Sequence, residues 1–224
     1  MTAQHRSTTE GRIAFASLCE KYWYPLYAHA RSIESDEDKA QDLTQEFFEK
    51  VIERNYIADA DPDRGRFRTF LLTSFRNFIS NERDKATAQK RGGGKTHVSL
   101  EFSDAERRYS LEPVETETAE RLFYRRWATM LLERVLDDIQ LEYEQSGRAN
   151  VFAELSQYLT PGSVDEYSDV AQRLAMTEGA VKVAVHRLRS RYRERLFAEI
   201  AETTATHWEV DDEIRCLFAA FAKA

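Results

Sequence analysis

The sequence predicts an all-α fold: two helical domains joined by an acidic flexible linker, the second domain holding a helix-turn-helix. Three observations carry that expectation. Apolar residues recur at helical spacing along most of the chain, and no alternating strand pattern stands out. Acidic and basic residues are segregated into separate stretches. Residues 168–196 read as two helices around a tight turn, the second with one apolar and one cationic face.

Phe15, Leu18, Cys19, Tyr22, Trp23 and Leu26 give the first helix an apolar face, with Pro25 predicting a kink or an end. Ser35 suits the N-cap of a second helix, whose first turn is rich in Asp and Glu as the helix dipole favours. That helix turns Leu43, Phe47, Phe48 and Val51 to one side, and Asp42, Gln45, Glu46, Glu49 and Glu53 to the other. The run from Asp61 to Gly65 is a turn signal. In the third helix Leu71, Phe75, Phe78 and Ile79 face a core, while Thr73, Asn77, Ser80 and Asn81 lie away from it.

Gly92 to Gly94 break the pattern, and the acidic segment that follows, with Pro113, reads as linker. Phe123, Trp127, Met130, Leu131 and Val135 begin the next helix, and 151–159 form a shorter one before Pro161-Gly162. Ser168 and Thr177 are candidate N-caps for the two helices beyond. From Thr177, the residues Val181, Val185, Leu188 and Tyr192 make an apolar stripe. Lys182, His186, Arg189 and Arg193 repeat the spacing on another face, widened by Arg187 and Arg191. Val210, Ile214, Leu217, Phe218 and Phe221 form an amphipathic tail helix with Asp211, Asp212 and Glu213 at its N-terminus. Its expected partner is the core of the second domain; the alternative is that it folds over the Arg-rich helix. The expected boundaries are 1–95 for the first domain, 96–120 for the linker, 121–200 for the second domain and 201–224 for the tail.

The net charge of −7 conceals two basic segments. Residues 64–95 hold nine Lys/Arg against two acids, a net of +7, and 182–195 hold six against one, a net of +5. The negative charge lies elsewhere, with seven acids against one Lys in 34–49 and seven against two Arg in 101–120. Both basic segments suit phosphate, and the acidic ones limit indiscriminate binding. Two cysteines, Cys19 and Cys216, make neither a disulfide framework nor a four-ligand zinc site. The N-terminal residues lack the apolar run of a signal peptide, and no stretch approaches the ~20 apolar residues of a membrane span. A cytoplasmic protein without a membrane partner is expected.

Enzymatic motifs are missing. Gly94-Lys95-Thr96 resembles the end of a phosphate-binding loop, but Gln89 stands where that motif needs glycine. The histidines, among them His5, His29, His97 and His207, form no metal pair, and no Ser or Cys sits in a nucleophile motif. No catalytic residue, metal ligand or cofactor is expected.

A helix anchored on one side and basic on the other suits docking in a DNA major groove; the plainer alternative is a solvated Arg-rich helix. The short helix and turn before it favour docking. The Asp42 stripe is a partner surface or simply a solvated face. In 66–91, Phe67, Phe70, Phe75 and Phe78 interleave with Arg66, Arg68, Arg76 and Arg83. Polar side chains beside such a helix can read unstacked bases of a single strand, or the phenylalanines are all core.

In this order, these pieces resemble bacterial RNA polymerase sigma factors of the extracytoplasmic-function type. Asp42-Leu43-Thr44-Gln45-Glu46-Phe47-Phe48 is similar to the helix by which that family docks on the clamp helices of core polymerase. The resemblance implies core contacts by Asp42, Gln45, Glu46 and Glu49. Phe67-Arg68-Thr69-Phe70-Leu71 through Asn77 resembles the minus-ten-reading helix, where an Asn at the place of Asn77 contacts a flipped-out base. That implies minus-ten roles for Arg68, Thr73, Arg76, Asn77, Ser80, Asn81 and Arg83.

Thr177 through Arg189 resembles the minus-thirty-five-reading helix, implying duplex contacts by Thr177, Glu178, Gly179, Lys182, Val183, His186, Arg187 and Arg189. The implied partners are core polymerase, promoter DNA, and an anti-sigma factor or other regulator. A segment of about 142–165 and the tail beyond Ile200 are extra to the family pattern. The alternatives are a sigma-like DNA-binding regulator that does not engage core, and an RNA-binding adaptor.

Overall fold

A computed structural model describes residues 19–53, 66–88, 105–111, 118–160, 162, 164–204 and 207–222. The fold is all-α, with no strand among the described residues. In chain order the helices are α1 (19–33), α2 (Glu37–Glu53), α3 (Phe67–Ala88), α4 (Ala105–Leu111) and α5 (Ala119–Gln145). Then come α6 (Ala149–Leu155), a 3-10 turn (Ser156–Leu159), α7 (Tyr167–Arg173), α8 (Glu178–Ala201) and α9 (His207–Ala219). Two compact units result, one of Met1–Thr129 with Thr203–Ala224, the other Met130–Glu202. The division falls inside α5, and the tail joins the first unit rather than the second.

The core of the first unit is aromatic. Tyr22, Tyr24, Leu26 and Tyr27 of α1, Leu43, Phe47, Phe48 and Val51 of α2, and Leu71, Leu72, Phe75, Phe78 and Ile79 of α3 are buried. Phe47 meets Phe75 edge-on at 4.9 Å and Phe78 at 5.7 Å, geometries worth about 0.5–1.5 kcal/mol each beyond burial. Lys50 reinforces this seam, with Nζ 2.6 Å from Glu82 Oε1 and 4.2 Å from the Phe78 ring centroid. Thr44 is on the buried side of α2, and its hydroxyl is satisfied by donating to the Ala40 carbonyl at 2.8 Å. Helix α1 does not end at Pro25, which is buried within it.

The segment expected to be a flexible linker contains a docked helix. Glu106 of α4 accepts from Arg31 Nε at 2.9 Å and Nη2 at 2.8 Å, and from the Tyr27 hydroxyl at 2.5 Å. The two-pronged Arg31 contact, with the Tyr27 bond, holds the Glu106 carboxyl below its ordinary range. Arg31 also lies 5.2 Å from the Tyr109 ring, and Arg108 lies 4.7 Å from that of Tyr24. Glu106 of the acidic segment thus supplies the counter-charge to Arg31 of α1.

The tail belongs with the first unit and not with the core of the second, its expected partner. Val210, Leu217 and Ala220 are buried in the first unit, while Phe218 is 64% exposed. Glu213 shares the buried face because it pairs with Arg68, which is only 3% exposed. Arg66 pairs with Asp212, lies 3.4 Å from Glu213, and donates from Nη1 to Cys216 Sγ at 2.8 Å. The Arg68 guanidinium also sits over Trp127 at 4.4 Å and Tyr124 at 5.4 Å. A buried cation needs such partners because desolvation is costly. Asp211, Asp212 and Glu213 lie in the second turn of α9, which begins at His207, so they are not its N-terminal cap.

In the second unit, Leu131, Val135 and Ile139 of α5 are buried, as are Val170 and Ala171 of α7 and Val181, Val185, Leu188, Leu196 and Ile200 of α8. Helix α7 starts after an extended Glu166, so Ser168 lies inside the helix and is not its cap. Ala175 has φ 52°, and this left-handed residue reverses the chain as Met176 N donates to the Ala171 carbonyl at 2.9 Å. Thr177 then caps α8, its hydroxyl accepting from Ala180 N at 3.2 Å. Described residues of 142–165 are tied to α7 and α8. Glu142 accepts from Arg191 and Arg195 at 2.7–3.1 Å, and Arg173 bridges Glu154 and Asp165.

Two consequences are measurable. Glu213→Leu leaves the Arg68 guanidinium buried without its carboxylate and should cost about 3–5 kcal/mol of stability, whereas adding Arg68→Met should restore most of it. Urea unfolding of both variants checks this, and equal loss in the double variant would show that the pair is not the cause. The second concerns acid. Hydrogen bonds from Arg191 and Arg195 hold the Glu142 carboxyl below its ordinary range. Its contribution is present above about pH 4.3, the unperturbed Glu value, and is lost as pH falls through the lower folded value. Glu142→Gln should therefore lose stability relative to wild type at pH 7, with the difference shrinking toward pH 3.

Candidate functional site

Three surfaces gather the residues singled out in the sequence. On α2, Asp42 is exposed and Gln45, Glu46 and Glu49 are half-buried, opposite the face of Leu43, Phe47 and Phe48. Gln45 Nε2 donates to Glu49 Oε1 at 3.2 Å across one turn. Burial of the phenylalanines fixes the rotation of α2, and 3.6 residues per turn then leave these polar positions on the outer side. The side chain of Glu53 lies outside the described residues.

On α3, Thr73, Arg76, Asn77, Ser80, Asn81 and Arg83 are exposed, opposite Leu71, Phe75, Phe78 and Ile79. Arg76 Nη1 stands 3.5 Å from Glu120, a solvent-exposed pair of little energetic weight. Arg83 is held more firmly, donating to Glu34 Oε1 at 2.6 and 3.0 Å and to the Ile33 carbonyl at 3.2 Å. Arg68 departs from the group. It is buried against Trp127 and Glu213, so this arrangement withdraws it from any nucleic-acid surface. Of the interleaved aromatics, Phe75 and Phe78 are core, and Phe67 and Phe70 are half-buried with ring centroids 6.3 Å apart.

Helix α8 is rooted by Val181, Val185 and Leu188, and by Tyr192, whose hydroxyl donates to the Leu132 carbonyl at 3.1 Å. Burial pushes that phenol up to about 12. Thr177, Glu178, Gly179, Lys182, Val183, His186 and Arg187 are exposed, and a Cβ added at Gly179 would meet nothing within 4 Å. No neighbour in the chain therefore requires glycine there. Arg189 is placed differently from the expectation: Nε and Nη2 both donate to the Tyr158 carbonyl, at 3.1 and 2.9 Å. Arg191 likewise turns to Glu142. Neither role shows in local spacing, because the carbonyl of Tyr158 and the carboxylate of Glu142 come from distant residues of the chain.

Cys19 is buried, and burial pushes its thiol up to about 12. His29 is buried with Nδ1 2.9 Å from the Ala119 carbonyl, and desolvation lowers its pKa. Among the described residues no group of His, Cys, Asp and Glu could hold a metal ion, and no helix is long and apolar enough to cross a membrane. His5, His97 and the Gly94-Lys95-Thr96 run lie outside the described residues.

Residues 18–89, which contain α1, α2 and α3, match the family model for Sigma-70 region 2. No curated protein and no solved structure matches the chain.

Proposed function

We propose that the chain is a sigma factor of the extracytoplasmic-function type, which binds core RNA polymerase and directs it to specific promoters. The Sigma-70 region 2 match over α1–α3 carries this reading. In it, the outer side of α2, with Asp42, Gln45, Glu46 and Glu49, meets a basic surface of the polymerase. The exposed side of α3, with Thr73, Arg76, Asn77, Ser80, Asn81 and Arg83, reads the unstacked minus-ten strand. An amide such as that of Asn77 suits this work, since it offers both a donor and an acceptor to a base edge.

The α7–α8 pair acts as a helix-turn-helix on the minus-thirty-five duplex. Gly179 at the open start of α8 lets backbone approach close to DNA, with Thr177 and Glu178 beside it. Lys182, Val183, His186 and Arg187 face the groove. Arg68 and Arg189 hold the protein together and are left out of the DNA surface. The reaction takes place in the bacterial cytoplasm, and an anti-sigma factor or other regulator restrains it.

Transcription by core polymerase with and without the protein, on promoter DNA enriched from a randomised pool by the holoenzyme, tests the reading. Promoter-dependent transcripts are expected. DNA binding without transcripts would leave a regulator that does not engage core. Reversing Asp42 and Glu46 to Arg should weaken core binding by roughly a hundredfold or more while helicity is kept, because like charges are then apposed. Undiminished pull-down of core would remove α2 from the interface. Asn77→Ala should slow promoter opening, read by permanganate reactivity, more than it weakens initial association, and should relax preference at one minus-ten base. Unchanged base preference would make Asn77 a plain surface residue of α3.

A further inference from the structure

The ammonium of Lys182 is held from two sides. Its Nζ is 2.6 Å from Glu178 Oε1, one turn earlier on α8, and 5.4 Å from the centroid of the Tyr167 ring at the start of α7. The two contacts differ in kind. The carboxylate neutralises the lysine and must let go before a phosphate or a base edge can take it. The ring attracts the cation through its quadrupole and leaves the charge available.

Tyr167 is itself immobilised by the extra segment. Its ring stacks on Tyr158 at 5.0 Å and 16°. Tyr158 is 4% exposed, its hydroxyl donates to the Asp165 carbonyl at 2.8 Å, and its own carbonyl accepts the Arg189 fork. Gln157 Oε1 accepts from Asp165 N at 2.9 Å, closing the loop between the 3-10 turn and α7. A continuous line of contacts therefore runs from the 3-10 turn through two stacked rings to a cation on the exposed side of α8.

We infer that Tyr167 is a positioning residue for DNA recognition: braced by Tyr158, its ring pre-orients the Lys182 ammonium without neutralising it. This makes the 142–165 segment the support of the reading surface. The inference rests on α8 being the helix that meets duplex DNA. A lysine side chain otherwise loses much rotamer freedom on binding, and a ring that narrows its range in the free protein reduces that loss.

The test uses the full chain with two probes: the duplex enriched from a randomised pool by the wild-type protein, and mixed-sequence DNA. Tyr167→Leu should weaken binding to the enriched duplex about two- to fivefold, the range a cation–π contact at an exposed site supplies. Tyr167→Phe should retain wild-type affinity, since the ring and not the hydroxyl is required. In a Lys182→Ala background, Tyr167→Leu should add no further loss, because a residue acting through Lys182 has nothing left to act on.

A loss that persists in the Lys182→Ala background would overturn the inference in favour of general damage to the α7–α8 pair. Equal binding by wild type and Tyr167→Leu would overturn it as well. Failure of the wild-type chain to bind either duplex would instead sink the reading of α8. NMR separates that case without DNA: the Lys182 Hε resonances should be shifted upfield by the ring in the wild type and not in Tyr167→Leu. Unshifted wild-type resonances would refute the positioning contact whatever α8 binds.

Discussion

The edge-to-face packing of Phe47 against Phe75, with Phe78 alongside, fixes how α2 and α3 are rotated about their own axes. Successive helix residues are about 100° apart, so a slip of one position would turn Asn77 toward the core and bring a phenylalanine to the surface. The polar sides of the two helices keep separate identities because the rings cannot exchange places without opening cavities. The Lys50–Glu82 pair spans the same two helices and opposes their sliding.

Helix existence was legible in the sequence because amphipathic spacing is a local property. The faces of α2 and α3, the Thr177 cap and the turn at Ala175 all follow from residues within a few positions of one another. What could not be read were pairings across distance. Arg68 has the type and place of a nucleic-acid contact, and nothing nearby in the sequence signals that Glu213 will cover it. Arg189 repeats the spacing of Lys182 and His186, yet a carbonyl from the 3-10 turn claims it. The acidic linker illustrates the same limit: composition favours solvation, but Glu106 finds Arg31 and Tyr27 and orders a helix. On α8 the residues nearest the turn kept the exposure their spacing implied, whereas Arg189, Arg191 and Arg195 met residues of 142–165.

Charge in this chain is largely answered from within. The two basic stretches look in sequence like open invitations to phosphate, but carboxylates from distant segments meet many of their cations: Glu34 on Arg83, Asp212 on Arg66, Glu142 on Arg191 and Arg195. On α8, Lys182, His186, Arg187 and Arg193 keep exposed side chains. Such trimming favours recognition over adhesion, because attraction to any polyanion scales with the number of cations offered while discrimination depends on a few well-placed groups.

Helix α9 belongs to the first unit but follows the whole of Met130–Glu202 in the chain. During synthesis, Arg66 and Arg68 therefore leave the ribosome long before Asp212 and Glu213 exist. Arg66 precedes Asp212 by 146 residues, which at 5–20 residues per second is a wait of roughly 7–30 s. Over that interval the nascent first unit carries two arginines that await their carboxylates. The second unit, contiguous in the chain, can fold within the interval. The order of maturation is then the reverse of the order of translation, and the part of the protein made first is the part finished last.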